Sequence, residues 1–351
     1  MRPEDLLRLP RGEFEATDAF SRLDETDDAA FYARERSVYH MDARARQTVE
    51  RVIGTLCVEP EPAILDLMAG WHSSIPEAVQ PSQVVGLGLG QEDLERNERL
   101  DRYVLHDLNE QPKLPFEDAS FDVVLNNASV DYLVRPFEVF AEVARVLRPG
   151  GLFLVVFTNR LFPQKAVKIW READETTRQL MVHEYFRSVA DFGPMKLFCS
   201  MGKPRPKDDK YADLGIPSDP IWAIYAEKKG ASPDRAPRPE IPPEPDGGPP
   251  PEVVSERKAR IRETLCCPYC EERLEKFEIA VSPFCEWPNE YMYVCFNNDC
   301  SYLISGWDAM AAQGNPGFSY RLMYDPALDR CMPTPMPCTR AASTAVGAPR
   351  G

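Results

Sequence analysis

The stretch Ala63-Ile64-Leu65-Asp66-Leu67-Met68-Ala69-Gly70 decides the fold of this chain. It begins as a short apolar run that ends at Asp66, and it continues into a turn that contains Gly70. A second apolar run, Val84-Val85-Gly86-Leu87-Gly88, follows in the sequence. Short apolar runs bounded by turn residues are typical of fully buried strands. The two runs therefore predict neighbouring strands of a parallel sheet.

Strand and helix patterns alternate on both sides of this stretch. Expected strands cover residues 62–67, 83–87, 102–105, 121–126 and 151–157, and expected helices cover 43–56, 135–147 and 171–190. Two further strand-like runs, 195–200 and 221–227, follow without a helix between them. The alternation predicts a parallel sheet with helices on its faces. The last pair of runs predicts an antiparallel finish.

This order of elements, with Leu147-Arg148-Pro149-Gly150-Gly151 ahead of the fifth strand, resembles the class I S-adenosylmethionine (SAM)-dependent methyltransferases. The similarity is greatest to the type 11 branch, whose members act on small molecules. It implies an α/β, Rossmann-like sheet of seven strands with an antiparallel last strand. It also implies SAM as the cofactor and methyl transfer as the reaction.

The loop after the first strand departs from the family pattern. SAM has no phosphates, so a glycine-rich turn here lets the backbone approach the methionine and ribose portions of the cofactor. The family's loop has an acidic residue followed by three alternating glycines. Aligned on Asp66, this chain keeps Gly70 and places Met68 and His72 where the first and third glycines stand.

Other cofactor contacts are carried over from the resemblance position by position. Gly88 stands where an acidic residue usually bonds the ribose hydroxyls, and Gln91, Glu92 or Asp93 can supply a substitute contact. Asp107 matches the acceptor for the adenine amine, and Asn126 lies where the cofactor wall is expected. The expected cofactor-binding residues are thus Asp66, Met68, Gly70, Gly88, Asp107 and Asn126.

No catalytic signature is expected, because methyl transfer needs mainly in-line positioning and, for some acceptors, a base. The candidates for a base or a substrate contact are His40, Asp131, Tyr132 and His183. An ordinary packing or surface role remains open for each of them. The fourth strand lacks the Asn/Asp-Pro-Pro-Tyr/Phe motif, which counts against an amino-group methylase of nucleic acids. The aromatic and basic residues between Phe31 and His40 can form either a lid or a helix-docking patch.

Cysteines are concentrated near the carboxyl terminus: eight of the ten lie between Cys266 and Cys338. Two short pairs separated by a hairpin's length predict a zinc site, with Cys266 and Cys285 as possible replacements for a ligand. Four thiolates leave no open position, so the zinc would be structural. The pattern resembles the Ogr/Delta-type zinc finger of phage transcription activators. The expected ligands are Cys267, Cys270, Cys295 and Cys300.

Charge argues against nucleic acid and anionic membranes as partners. The net charge is −15, and residues 252–330 carry 13 acidic against 8 basic side chains, whereas phosphate binding needs basic surface. A protein partner of the ribbon is preferred, with Trp287, Tyr291, Tyr293 and Trp307 as candidate contact residues. A role in the unit's own small core is equally open for these aromatics. No apolar run reaches the ~20 residues of a membrane span. With an acidic, polar amino terminus, this predicts a cytoplasmic protein.

Composition predicts five segments. An amino-terminal arm or cap covers 1–42, a methyltransferase-like domain covers 43–228, and a linker with nine prolines covers 229–251. A zinc ribbon covers 252–330, with a helix expected over 252–265, and a disordered tail covers 331–351. Pro-rich segments favour extended spacers over packed elements.

The leading hypothesis is a SAM-dependent methyltransferase of a small molecule or a protein, with a ribbon that recruits a partner. The first alternative is an inactive methyltransferase-like scaffold, which the altered positions Met68, His72 and Gly88 motivate. The second is a DNA-associated regulator, which the phage-type ribbon suggests and the charge disfavours.

Overall fold

A computed structural model describes residues 3–7, 11–32, 39, 41–214, 216–230, 236–242, 248–279, 289–313, 315 and 318–337. The chain divides into two compact units. The first contains residues 1–198 and 219–241, and the second contains residues 199–218 and 242–351. Among the helices that the structure describes, none combines the length and the apolar character that a membrane span requires.

The larger sheet has seven strands in the order β3-β2-β1-β4-β5-β7-β6. The strands are β1 (Ala63–Leu67), β2 (Gln83–Gly88), β3 (Arg102–Leu105), β4 (Phe121–Asn127), β5 (Leu147–Phe157), β6 (Lys196–Ser200) and β7 (Ile221–Glu227). Strands β1 to β5 pair in parallel, and β7 pairs antiparallel with β5. The predicted Rossmann-like sheet with an antiparallel finish is confirmed.

Eight α-helices accompany this sheet in the described part of the first unit. They are α1 (Pro3–Leu6), α2 (Arg11–Glu15), α3 (Asp28–Tyr32), α4 (Ala43–Leu56), α5 (Gln91–Arg96), α6 (Pro136–Val146), α7 (Lys168–Glu172) and α8 (Glu175–Arg187). The prediction of one helix over 171–190 is wrong, because the Asp174 carboxylate caps a new helix by accepting from Thr177 N. Strand β5 also begins earlier than predicted, since Leu147 already pairs with Phe121.

The core lies on both faces of the central strands. Strands β1, β4 and β5 are almost wholly buried, which explains their continuous apolar sequence. Helix α4 covers one face with Val49, Val52, Ile53 and Leu56. On α6, Phe140 packs against Phe153 of β5 at 4.8 Å between ring centroids.

The described part of the amino-terminal arm is packed on the rest of the first unit. Phe14 is buried and lies edge-on to Phe137, with 6.0 Å between ring centroids. Lys165 is completely buried beneath the arm. Its ammonium donates to Thr26 O at 2.6 Å and lies 3.1 Å from Asp28 Oδ1. These contacts fix α3 against the body of the unit.

The turn after β1 lies directly against the end of β2. Ala69 N donates to Leu87 O at 2.8 Å, and a Cβ atom at Gly88 would overlap the Ala69 carbonyl oxygen. Met68 takes a left-handed conformation with φ of 60°, a region that usually selects glycine. Met68 thus holds, in place of the family's first glycine, a backbone conformation that glycine adopts readily.

The second unit contains a four-stranded antiparallel sheet in the order β11-β10-β9-β8. Its elements are α9 (Pro251–Ala259), α10 (Ile261–Thr264), β8 (Glu275–Glu278), β9 (Tyr291–Val294), α11 (Ser301–Ala312), β10 (Phe318–Asp325) and β11 (Arg330–Pro337). The predicted helix over 252–265 is therefore divided in two. The tail predicted to start at 331 is wrong for 331–337, which pair with β10, and residues 338–351 lie outside the described residues.

Residues 199–218, between β6 and β7, belong to the second unit. Lys203 Nζ lies 2.8 Å from Asp308 Oδ2, and the Trp307 indole packs against Gly202. Trp307 is only 9% exposed and packs in the core of this unit, so of the two roles that the sequence left open it has the core role. Trp287 lies outside the described residues.

The described part of the Pro-rich segment around Arg238 also packs on the first unit. Arg238 is buried, donates to Leu56 O and pairs with Glu59 and, at 2.9 Å, with Glu227. A buried arginine with two carboxylates fixes the backbone around it. This part of 229–251 is consequently not the free spacer that composition predicts.

We expect Lys165→Met to lower the free energy of unfolding by about 3 kcal/mol, because it leaves Asp28 buried with less compensating charge. Lys168→Met is the matched control, since Lys168 and its partner Asp18 are solvent-exposed and such pairs contribute little. Urea denaturation of both variants measures the difference. If the two variants were equally stable, the claim that Lys165 holds the arm on the first unit would be wrong.

We expect Gly88→Ala to lower the free energy of unfolding by about 1–3 kcal/mol, because the added methyl group meets the Ala69 carbonyl oxygen. Gly70→Ala is the control, since a Cβ atom there meets nothing within 4 Å. Its stability should stay within about 0.5 kcal/mol of the parent. A fully stable Gly88→Ala variant would show that the turn after β1 lies elsewhere.

Candidate functional site

A pocket opens in the first unit at the carboxyl ends of β1 to β4. The turn after β1 contributes residues 68–72, and the ends of β2, β3 and β4 contribute 88–90, 106–109 and 127–129. The arm and the segments beyond β4 and β5 complete it with Asp28, Tyr32, Tyr39, Tyr132 and Phe162. Open α/β sheets bind their ligands in this crevice.

Four of the six predicted cofactor residues line the pocket, namely Met68, Gly70, Gly88 and Asp107. The other two do not and are buried, Asp66 at 6% and Asn126 at 1% exposure. Asp66 accepts a hydrogen bond from the Ser73 hydroxyl, and burial raises its pKa to about 6. Asn127, the residue after Asn126, lines the pocket instead. Asp66 and Asn126 are thus placed to support the lining residues.

The close approach of the β1 turn explains why Gly88 replaces the family's ribose-binding acid. Any side chain at this position would collide with Ala69. Of the three substitutes that the sequence offers, only Asp93 of α5 lines the pocket, and burial raises its pKa. Gln91 instead donates to Glu95 at 2.8 Å.

Asp107 is held in a tight turn after β3. Its Oδ1 accepts from Asn109 N at 2.8 Å. The Asn109 side chain in turn donates to Asp28 Oδ2 and to Tyr132 O, each at 3.0 Å. The turn that contains Asp107 is therefore tied to both the arm and the segment after β4.

One wall of the pocket is aromatic, and the sequence analysis missed part of it. The Tyr39 ring lies 4.5 Å from Trp71 and 5.5 Å from His72 between centroids. The Arg46 guanidinium lies 3.4 Å from the Tyr39 ring centroid, which is a cation–π contact. Burial lowers the pKa of His72. The sequence had singled out His72 in the altered loop and the aromatic residues between Phe31 and His40, which include Tyr39, whereas Trp71 and Arg46 were not predicted.

Near the end of β4, three polar atoms in the pocket lining are buried without a hydrogen-bond partner among the described residues. They are Tyr32 Oη, Asn127 Oδ1 and Ser129 Oγ. Buried polar atoms almost always have a partner. These atoms therefore indicate a ligand with polar groups, as SAM and a methyl acceptor would supply.

The four candidates for a base are placed very differently. Tyr132 lines the pocket, and Asp131 lies behind it at 3% exposure, with its pKa raised by burial to about 7. His183 is exposed on α8 and does not line the pocket, so the expected contact is not made. His40 lies outside the described residues.

In the second unit the structure brings the four predicted thiols together. The Sγ atoms of Cys267, Cys270, Cys295 and Cys300 all lie within 4.8 Å of one another. Two of the Sγ–Sγ distances are 3.6 and 3.7 Å. Tetrahedral zinc with Zn–S bonds of about 2.3 Å would set sulfur atoms about 3.8 Å apart. Cys266 is not part of the group, because its thiol contacts Thr264 O, and Cys285 lies outside the described residues.

Residues 67–155 match the family model described as "Methyltransferase domain". The chain is 26% identical over 151 residues to a malonyl-[acyl-carrier protein] O-methyltransferase of Marinomonas sp. (strain MWYL1), covering 40% of this chain and 54% of the relative. It is 36% identical over 108 residues to a phthiotriol/phenolphthiotriol dimycocerosates methyltransferase of Mycobacterium tuberculosis, covering 30% and 38%. The chain thus spans about half, or less, of the length of these relatives.

Among solved structures, the chain is similar to the geranyl diphosphate C-methyltransferase of Streptomyces coelicolor A3(2), solved with S-adenosyl-L-homocysteine. The TM-score is 0.39 with 15% identity, and the match covers 57% of this chain and 96% of that one. Residues 67–155 thus match a methyltransferase domain, and the seven-stranded sheet around them has the strand order and the antiparallel finish of the class I methyltransferase fold.

Proposed function

We propose that this protein is a SAM-dependent methyltransferase that binds its cofactor in the pocket at the carboxyl ends of β1 to β4. The main support for the proposal is the pocket itself. It is lined by the turn after β1, by Asp93 and Asp107, and by the unpartnered polar atoms near the end of β4. The family match over residues 67–155 supports it.

The residues present fit the cofactor from one end of the pocket to the other. The backbone of the β1 turn, where Gly70 has no side chain and open space beside it, would receive the methionine portion. Asp93 would accept from the ribose hydroxyls, and Asp107 with Leu108 would hold the adenine. When bound, SAM supplies a methyl group on a positively charged sulfur. The protein's task is to hold the acceptor in line and exclude water.

The alternative of an inactive scaffold loses much of its motivation. Met68 takes a left-handed backbone conformation, so methionine does not prevent a glycine-like turn here. His72 and Trp71 stand in a wall of the pocket. Asp93 supplies the acid that is missing at Gly88, since both residues line the same pocket. Each altered position thus has a local structural compensation that leaves the pocket open.

The acceptor is proposed to be a small molecule or a protein side chain. The names of the two relatives given above mention different methyl acceptors, so they do not indicate one acceptor for this chain. A nucleic-acid acceptor is disfavoured by the net charge of −15, because phosphate binding needs basic surface.

We expect Asp93→Asn to weaken binding of S-adenosylhomocysteine about tenfold or more, because hydrogen bonds to an ionised acceptor are lost. Glu92→Gln is the matched control, since Glu92 is a neighbouring acid that does not line the pocket. Isothermal titration calorimetry at pH 7.5 measures both affinities. No binding by the parent protein at millimolar ligand would refute the proposed function. Equal affinities of the two variants would refute only the role of Asp93.

We further propose that the four clustered thiols hold a structural zinc ion that stabilises the second unit. All four coordination positions are filled by Cys267, Cys270, Cys295 and Cys300, which leaves none for a substrate. Arg321 lies beside the group and donates to Cys295 O at 3.1 Å, where its charge would offset the negative charge of the thiolates. A protein partner of this unit is also proposed, with the half-buried Tyr291 and Tyr293 as contacts.

We expect metal analysis of the purified protein to find about one zinc per chain. Cys270→Ser should lose the metal and destabilise the second unit, because one of four ligands is removed. Cys266→Ser should keep the metal, since that thiol lies outside the group. A parent protein that is folded and free of zinc would refute the site, and loss of zinc in Cys266→Ser would refute the ligand assignment.

A further inference from the structure

Three aromatic rings enclose the part of the pocket beside the end of β4. The Tyr32 and Tyr132 rings are 6.2 Å apart between centroids and nearly perpendicular. Phe162 lies 6.4 Å from Tyr32 and 6.2 Å from Tyr132. Aromatic walls of this kind favour a flat, apolar body that can stack or pack edge-on. Because the cofactor portions are assigned to β1, β2 and β3, this chamber is the place for the methyl acceptor.

The chamber also contains polar atoms that nothing in the described chain satisfies. Ser129 Oγ and Tyr32 Oη are both buried and unpartnered, and Ser129 is 6% exposed. Both are hydroxyls, which can donate as well as accept. An acceptor with a hydroxyl group on its flat body would satisfy them.

A buried carboxylate stands behind this chamber. Asp131 is 3% exposed, and its Oδ2 atom has no hydrogen-bond partner among the described residues. Tyr132 Oη accepts from Phe162 N at 2.9 Å, and the Tyr132 hydroxyl interacts with the Asp131 side chain. The other charged groups that act on this carboxylate and its tyrosines are Arg178 of α8, Asp28 and Arg22 of the arm, and Asp107 after β3. Asp28 is itself paired with Arg22 at 2.6 Å.

Resting on the proposed function, we propose that Tyr132 and Asp131 accept the proton of a phenol-type hydroxyl, which is the methyl acceptor of this enzyme. The acceptor oxygen forms the new bond to the methyl carbon with a lone pair. The carbon–sulfur bond breaks, and its electron pair stays on sulfur. The hydroxyl proton passes to Tyr132 Oη while the Tyr132 proton passes to Asp131. The protonated carboxyl then returns its proton to solvent.

The basicity of Asp131 favours a phenol-type hydroxyl over an alkyl alcohol as the methyl acceptor. The pKa of Asp131 is raised by burial to about 7, and a phenol has a pKa of about 10. An alkyl alcohol is about as weak an acid as water, so its pKa lies far above that of a phenol. Proton transfer becomes steeply unfavourable as the pKa of the acceptor rises above that of Asp131. Catalysis by a base is most efficient when the pKa of the base lies near the working pH.

The test uses phenol and anisole as probes of the protein saturated with S-adenosylhomocysteine. Anisole has the same ring but no hydroxyl proton. Calorimetry at pH 8 should show phenol binding at least about tenfold more tightly than anisole. Tyr132→Phe and Asp131→Asn should each reduce this preference to less than about threefold, and the control His183→Gln, far from the pocket lining, should keep it.

A pH series separates proton acceptance from packing. In the parent protein the preference for phenol should fall as the pH drops below about 7, where Asp131 becomes protonated, and in Asp131→Asn it should not change with pH. Equal binding of phenol and anisole, or a preference that survives Asp131→Asn, would overturn the inference. Both results presuppose that S-adenosylhomocysteine binds, so failure of that binding would instead count against the proposed function.

Discussion

The contact between the Ala69 carbonyl oxygen and Gly88 constrains the whole pocket. It presses the turn after β1 against the end of β2, with the Ala69 N to Leu87 O hydrogen bond holding it there. No side chain fits at Gly88, so in the proposed function the acidic contact for the ribose comes from a neighbouring element. Asp93, one turn into the following helical segment, is the acid that reaches the lining. The missing family acid is thus a consequence of backbone packing.

The opposite side of the pocket depends on a segment that lies far away in the sequence. Lys165, in the segment after β5, is buried beneath the arm and holds residues 24–28 through backbone carbonyls and Asp28. The same arm places Tyr32 in the chamber beside β4. The side of the pocket at β1 to β3 is therefore fixed by the sheet, whereas the side beside Tyr32 is fixed by buried ion pairs.

The sequence predicted the elements that local patterns determine. The strands were located to within a few residues because their apolar runs are short and bounded by turns. The four thiols were found because two close Cys pairs permit few other arrangements. The split between α7 and α8 was missed, since it depends on one capping carboxylate at Asp174. Strand β11 was hidden by prolines, which an edge strand tolerates.

The site was harder to predict than the fold, because its walls come from distant parts of the chain. Tyr39, Arg46 and Trp71 meet only after folding, and no spacing in the sequence links them. Asp66 and Asn126 were correctly placed at strand ends, yet whether a strand-end side chain faces the pocket or the core depends on its register. Asp131 and Tyr132 are adjacent in sequence, but their burial depends on the arm and on Phe162.

The central claim is that this pocket holds the adenosyl cofactor. The most direct measurement is a crystal structure of the protein grown with S-adenosylhomocysteine. The account predicts electron density that runs from the backbone of Met68–Gly70, past Asp93, to Asp107, with the sulfur atom directed toward Tyr132 and Ser129. An empty pocket at saturating ligand, or density bound outside these residues, would contradict it.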